Sequence, residues 1–292
     1  MTDGDFDFLR LLLHYRSGLS LGPEKRYLAE SRLGILCRRR GIEGLVALVE
    51  RLRHGDPQLE NAVVEAMTTN ETLFFRDRTP FELFRNVILP EKLSANAATR
   101  SLRIWCAAVS TGQEAYSLAM ILDEMACRLA GWNVRILGTD ISGEVLERAR
   151  TGIYSQFEIQ RGLPIQMLLR HFQQDGEKWQ VSERLRATVE LKQHNLLEPN
   201  DHLGQFDVIF CRNVLIYFDV PTKAKVLDAL APRLAPDGVV ILGAAETVLG
   251  ISTSIVPDKE HLGLYRSRRA ANAQLTHLPR TSDSMVAQGS GV

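Results

Sequence analysis

The sequence predicts a doubly wound, Rossmann-like α/β domain that carries a small inserted antiparallel β-subdomain and is preceded by an all-α N-terminal domain. Three observations predict it. The hydrophobic period changes near residue 93, from helical spacing to short β-rich runs alternating with helices. The stretch from Ile104 to Asp140 reads as strand, small-residue loop, crossover helix and second strand ending in a carboxylate. Asp175-Gly176, a hairpin signal, interrupts the alternation.

In residues 1–92 the spacing predicts helices over Phe6–Tyr15, Pro23–Arg40, Ile42–Arg53 and Pro57–Met67. Gly41 ends the second, and Asp56-Pro57 starts the fourth with an N-cap and a residue that has no N–H to leave unpaired. Thr79-Pro80-Phe81-Glu82 reads as a capping box opening a helix to Leu89, which Pro90 follows, with a polar linker near 94–99. The α/β domain, 93–266, should place strands at Leu102–Cys106, Val134–Gly138, Thr188–Lys192, Phe206–Cys211, Gly238–Gly243 and Gly263–Arg266. Helices fall near Gln113–Leu129, Ser142–Arg150 and Pro221–Leu234. Between them a helix near Pro164–His171 leads into the insertion at about 172–187, where Trp179, Val181 and Leu185 suit strand positions. The insertion is either a brace for the main sheet or a docking subdomain. Residues 267–292, poor in large apolar side chains, read as a disordered tail.

With 292 residues and 45% apolar content the chain can bury one large core or two smaller ones, and two domains are expected. Lys+Arg and Asp+Glu number 35 each, so no global field draws it to nucleic acid or anionic lipid. Cys37, Cys106, Cys127 and Cys211 lie far apart with no C-x-x-C spacing, which suits reduced core thiols, a cytoplasmic location and no metal site. No basic start with a cleavage site and no run of eighteen apolar residues is present, so secretion and membrane insertion are not expected.

The βαβ stretch is the layout of a nucleotide-type cofactor site. Small residues let the backbone approach a ligand, and Asp140, past the second strand, can accept both hydroxyls of a ribose. The loop lacks G-x-G-x-x-G: it has Gly112 alone and ends in Glu114, an anion that would repel a phosphate. A cofactor with ribose, without phosphate and with positive charge fits better, and S-adenosylmethionine has those properties. An ordinary βα unit with a small-residue turn is the bland alternative. Thr68–Asp77 packs hydroxyls, an amide, two aromatics and Arg76 between two helices, the composition of a site or of a helix C-cap with Phe74 and Phe75 in an interdomain core. Asp207–Phe218 is a buried strand running into Arg212, Asn213 and Tyr217; the C-terminal ends of parallel strands form the ligand crevice, so these three should face it.

Taken together, Thr68-Thr69-Asn70 with Thr72 and Phe74-Phe75-Arg76, Ala107-Ala108 with Ser110-Thr111-Gly112 and Glu114, Thr139-Asp140-Ile141-Ser142, Asn195-Leu196-Leu197 and Phe210–Phe218 resemble the CheR family of chemoreceptor glutamate methyltransferases over roughly residues 5–266. The resemblance implies a protein-glutamate O-methyltransferase that uses S-adenosylmethionine, yields S-adenosylhomocysteine, and acts in receptor adaptation on the cytoplasmic methylation helices of a chemoreceptor. It implies that Asn70, Thr72 and Arg76 contribute to the cofactor site, with Glu114 at the methionine part, Asp140 at the ribose, Asn195 and Leu196 at the adenine, and Arg212 and Tyr217 near the methyl group. Asn213 joins them by its place beside Arg212, and Arg76 and Tyr217 are the candidates for holding the acceptor. Where the family often has G-H-S-E, this chain has Gly243-Ala244-Ala245-Glu246, which removes a histidine. The short Gln174–Glu177 loop lacks a glycine-containing insert of the kind found in members that tether to a receptor pentapeptide, so no such tether is expected. Lys25, Arg32 and Arg39 recur every seven residues, either as a stripe meeting glutamate-rich helices or as solvated heads over apolar surface.

Overall fold

The computed structural model describes residues 1–268. Its centre is a seven-stranded sheet, and its strands are numbered with those of a smaller sheet in chain order. They are β1 (Ser101–Ala107), β2 (Asn133–Asp140), β3 (Ile153–Ser155), β4 (Phe172–Asp175), β5 (Lys178–Val181), β6 (Val189–Gln193), β7 (Phe206–Cys211), β8 (Leu234–Leu242), β9 (Ile255–Pro257) and β10 (Leu264–Ser267). The large sheet has the order β6-β2-β1-β7-β8-β10-β9. Its first five strands are parallel; the inner ones are buried on both faces, which is why β1 and β7 read as nearly unbroken apolar runs, while the edge strand β6 is partly exposed. β10 runs antiparallel to β8 and to β9. The chain leaves β1 first toward β2 and β6, then crosses to β7 on the other side, so the topological switch lies between β1 and β7. Ala107 is in register with Thr139 on one side and Cys211 on the other. That register brings Ala108, Asp140 and Arg212 to one edge.

Four helices precede the sheet: α1 (Asp3–Ser17), α2 (Arg26–Arg40), α3 (Gly44–Arg53) and α4 (Pro57–Met67). Leu9, Leu13, Leu33, Leu48, Leu59 and Val63 form their own fully buried cluster. Asp56 caps α4 as the sequence predicts, its carboxylate accepting the Leu59 N–H at 3.0 Å. The next helical stretch comprises α5 (Thr79–Leu83), a π-helical segment (Phe84–Ile88) and α6 (Leu89–Ala95), and its Phe81, Phe84, Ile88 and Leu89 pack into the sheet's core instead.

Two details of that stretch differ from expectation. Thr79 is the first residue of α5 and caps nothing: Arg78 precedes it at φ 46, and tight turns from Phe75 O to Arg78 N and from Asp77 O to Thr79 N occupy the space an extended N-cap needs. Pro90 does not end the helix, because the π-segment shifts the ladder so that the Leu89 N–H meets Phe84 O, and Pro90 opens α6 where no N–H is required.

The crossover helices are α7 (Gln113–Glu124), α8 (Gly143–Thr151) and α12 (Val220–Leu230). Between β2 and β6 lie α9 (Gln156–Gln160), α10 (Ile165–His171), α11 (Glu183–Arg186) and a three-stranded antiparallel sheet, β3-β5-β4. This subdomain recruits Ile153–Ser155, upstream of the expected 172–187, and Leu185 is a buried helical residue of α11, not a strand position. The expected tail lies outside the described residues from residue 269 on. No helix among the described residues is long and apolar enough to cross a membrane.

The insertion abuts the Thr68–Asp77 loop through Gly162, at φ 91, where an added Cβ would lie 2.1 Å from the Phe74 carbonyl oxygen. Gly162→Ala should therefore lower stability by roughly 1–3 kcal/mol. Gly176→Ala is the control, since Gly176 also has positive φ, 58, but nothing within 4 Å of its Cβ position. Urea midpoints of the two variants check this, and equal shifts would dismiss the contact as unimportant.

Candidate active site

At the switch point lies a cavity with about 1020 Å³ of empty space, open solvent at its mouth included. Asn70, Thr72, Arg76, Glu114, Asp140, Asn195, Leu196, Arg212, Asn213 and Tyr217 all line it. They come from the loop after α4, the start of α7, the end of β2 and the segments that follow β6 and β7.

Asp140 ends β2 with each oxygen fixed by one backbone N–H, Oδ2 by Ser110 at 2.8 Å and Oδ1 by Ser142 at 3.0 Å. Each oxygen keeps a second lone pair for a ligand hydroxyl. Burial pushes the Asp140 carboxyl above the usual aspartate range, and the Ser142 and Ser110 N–H groups only partly offset it. The loop that supplies Ser110 is strained: Ala108 sits at φ 62 and Ser110 at φ 53, and Gly112, at φ 94, has no room for a Cβ against Ala149, Tyr116 and Tyr154. Small residues are needed there because the chain turns sharply from β1 into α7.

Arg212 follows β7 with its side chain 1% exposed. One guanidinium nitrogen donates to Glu114 Oε2 at 2.8 Å; the other donates to Asp77 Oδ2 at 2.7 Å and the Arg76 carbonyl at 2.9 Å. Its Cζ lies 5.5 Å from the centre of the Phe81 ring. Burial raises the Glu114 carboxyl, with Arg212 pulling the other way. The Thr68–Asp77 loop is thus anchored at its far end by Arg212. At its start Arg32 donates to the carbonyls of Met67 and Thr68 at 2.7 and 2.8 Å and to Thr69 Oγ1 at 3.1 Å. Arg32 is therefore no free head of a basic stripe; Lys25 and Arg39 remain exposed.

Arg76 is half-buried, and among the described residues its guanidinium makes one hydrogen bond, to Glu71 O at 2.9 Å. Tyr217 closes a short 3₁₀ turn, Leu215–Tyr217, and its carbonyl accepts the Ser20 N–H at 2.9 Å as the chain after α1 pairs Leu19 with Phe218. Asn195 lines the cavity, but its carboxamide is already engaged, donating to Arg16 O at 2.7 Å and accepting from Leu197 N at 3.1 Å. It fastens the end of α1 beside the cavity.

Sequence reasoning missed the wall from Ser17, Leu19, Val64 and His194, which carry no motif, and gave no role to Ile141 and Phe218, which lie inside quoted motifs. It also missed the role of Glu246. This buried carboxylate accepts the N–H groups of Asn213, Val214, Leu215 and Gly243 at 2.7–2.9 Å, and the only signal was its place in the Gly243–Glu246 motif.

A doubly wound sheet with an acid-walled, phosphate-averse cavity at its switch point defines a cofactor-dependent α/β protein. The comparisons with known proteins sharpen this. The SAM-binding domain of CheR methyltransferase matches residues 70–258, and the all-alpha domain of CheR methyltransferase matches residues 4–68. Chemotaxis protein methyltransferase 1 of Pseudomonas aeruginosa is 43% identical over 251 residues, covering 85% of this chain and 91% of that protein. Chemotaxis protein methyltransferase Cher2 of Pseudomonas putida is 42% identical over 259 residues, covering 86% and 94%. Chemotaxis protein methyltransferase 1 of Vibrio cholerae is 40% identical over 250 residues, covering 84% and 90%. The chain belongs to the CheR methyltransferase family, and its cofactor is S-adenosylmethionine. The residues present fit that molecule: a buried carboxylate with spare acceptor capacity at the end of β2, and a surplus of carboxylates suited to a cation.

Because Asp140 is raised by burial, it protonates at higher pH than an exposed aspartate, and a protonated acid loses its charge-assisted acceptor bonds. S-adenosylhomocysteine affinity should fall as the pH is lowered from neutrality, beginning above the range in which an exposed aspartate titrates. In Asp140→Ala it should be at least tenfold weaker at pH 7, from roughly 1.5–3 kcal/mol per lost charged hydrogen bond. Calorimetry checks both; affinity within threefold of wild type at pH 7 would take Asp140 out of the site.

Proposed function

We propose that this protein methylates glutamate side chains on the cytoplasmic helices of a chemoreceptor, giving glutamate methyl esters and S-adenosylhomocysteine. The observation that supports this best is Arg76: a half-buried guanidinium on the cavity wall with a single hydrogen bond of its own among the described residues, beside a buried Arg212 whose two terminal nitrogens are already engaged. An arginine fork with spare donors matches an incoming carboxylate.

S-adenosylmethionine, when bound, supplies a methyl group on a sulfonium, which is intrinsically electrophilic. On this reading Asp140 holds its ribose, Glu114 lies at its methionine part, and Asn70, Thr72 and Leu196 complete the wall, while Asn195 acts by fixing the end of α1. The acceptor needs no general base, because a glutamate side chain with a pKa near 4.3 is already ionised at neutral pH. The protein's task is alignment, worth up to roughly 7–11 kcal/mol when geometry is held well. Arg76 orients the acceptor carboxylate, and the Tyr217 hydroxyl, unpartnered among the described residues, offers a second donor. Lys25 and Arg39 remain as cations to steer a glutamate-rich helix. The two-residue turn between Asp175 and Lys178 leaves little loop to build a peptide-binding edge, so a receptor pentapeptide tether is not required.

The decisive experiment incubates the protein with labelled S-adenosylmethionine and receptor cytoplasmic fragments and measures base-labile methyl esters. Label that survives base, or none transferred to any fragment, would overturn the assignment. Trimming the receptor's last residues should leave the rate nearly unchanged.

Arg76→Ala should cut turnover far more than stability, because the side chain makes one hydrogen bond to a loop carbonyl. A tenfold or larger fall in turnover with a melting shift under about 3 °C is the expected pair, the latter corresponding to less than about 1 kcal/mol in a chain of this size. A large melting shift with normal turnover of the folded remainder would make Arg76 structural.

A further inference from the structure

The loop that presents Arg212, Asn213 and Tyr217 leaves β7 along a course that its own sequence does not stabilise. Asn213 is left-handed at φ 60, and the backbone N–H groups of Asn213, Val214 and Leu215 follow one another with no helix to receive them. Three consecutive donors of this kind form an anion-binding concavity. Its occupant is the Glu246 side chain, from the loop after β8. Oε2 accepts Asn213 N at 2.8 Å and Gly243 N at 2.7 Å, and Oε1 accepts Val214 N at 2.9 Å and Leu215 N at 2.7 Å. Glu246 is 8% exposed, and its backbone N–H closes the turn onto Gly243 O at 2.9 Å. Gly243 admits the approach because it has no Cβ, which would lie 2.7 Å from Glu246 Oε2 and 3.0 Å from Asn213 N. The neighbouring Ala244 and Ala245 face solvent, so Glu246 is the part of this motif that reaches the site.

We infer that Glu246 is a positioning residue for methyl transfer: its carboxylate fixes the Asn213–Tyr217 turn, and through it the Tyr217 side chain, without touching either reactant. This rests on the proposed reading of the cavity as the site of transfer. Two oxygens meet four donors, so the isosteric Glu246→Gln must turn an NH₂ group toward one pair of N–H groups and leave both unpaired. The adenosine side of the cavity, around Asp140, belongs to other strands and is untouched. The inference therefore separates turnover from cofactor binding.

The test uses the full chain with Glu246→Gln and Glu246→Asp, with kcat expressed per S-adenosylhomocysteine-binding site counted by calorimetry, so that misfolded protein is not scored. For Glu246→Gln, kcat per site should fall at least tenfold while S-adenosylhomocysteine Kd changes less than threefold. Amide exchange at Val214 and Leu215 should quicken at least tenfold. Glu246→Asp, which keeps both oxygens on a shorter arm, should recover part of the loss. A kcat per site within twofold of wild type would overturn the inference, as would unchanged exchange at Val214 and Leu215. If Glu246→Gln yields no cofactor-binding protein, Glu246→Asp is judged against the same twofold limit. A wild-type protein that esterifies no receptor carboxylate defeats the functional reading itself, and amide exchange then still decides whether Glu246 holds the turn.

Discussion

The site depends on one buried cation. Arg212 joins three loops that are far apart in sequence: its own, after β7; the start of α7, through Glu114; and the Thr68–Asp77 loop, through Asp77 and the Arg76 carbonyl. With the side chain 1% exposed, desolvation is costly, and only the number and geometry of its partners make the arrangement stable. Removing one partner of such a cluster typically costs about 3–5 kcal/mol, because the remaining charges stay buried and unpaired. The same cation opposes the desolvation of Glu114, so the two groups stabilise each other's charged forms. Without Arg212 the loop bearing Arg76 would keep its anchors to Arg32 of α2, to Ser110 and to Ser117, but would lose the one that fixes Arg76 and Asp77 beside the cavity.

Charge around the cavity is lopsided although the whole chain is neutral. Glu114, Asp140, Asp77 and Glu246 face or back it, against the two guanidiniums of Arg76 and Arg212. His194 adds no positive charge near neutrality, since burial pushes its pKa down. In a poorly solvated crevice such a surplus of carboxylates repels phosphate and favours a ligand bearing a sulfonium and an ammonium. Selection between cofactor classes is thus achieved largely by electrostatics, on a sheet topology that also serves dinucleotides.

What was legible in the sequence was what repeats or alternates. β1 and β7 are buried on both faces and so announce themselves as apolar runs, and Asp140 and Glu114 stand at fixed offsets from them. β3 and β9 were missed because three residues are too few to show a period, and Leu185 was misplaced because a buried apolar residue in a one-turn helix looks like one in a strand. The capping box at Thr79 failed for a different reason. Its composition was right, but Asp77 and Arg78 both have positive φ, and local sequence does not reveal when tertiary contacts impose that conformation. Glu246 was invisible because its four partners lie up to 33 residues upstream and are backbone groups, which every sequence possesses.

Among the described residues seven non-glycine residues have positive φ, and six of them, Phe75, Asp77, Arg78, Ala108, Ser110 and Asn213, lie in the three loops at or beside the cavity. Strain of order 1–3 kcal/mol each persists only where surrounding bonds over-determine the backbone. Here those bonds can be named. The Asp140 carboxylate holds Ser110, the Glu246 carboxylate holds Asn213, and the Arg212 guanidinium holds Arg76 and Asp77. Each strained loop is thus held by a buried charge, so its shape is set before any ligand arrives and little reorganisation is left for the reaction. Arg76 is the exception: its backbone is fixed but its guanidinium is half-buried and nearly unpaired. On the proposed mechanism that difference has a use. A fully desolvated arginine would grip an acceptor carboxylate so tightly that it blunted the nucleophile, whereas a partly hydrated one can orient the group while leaving its charge largely available to the electrophile.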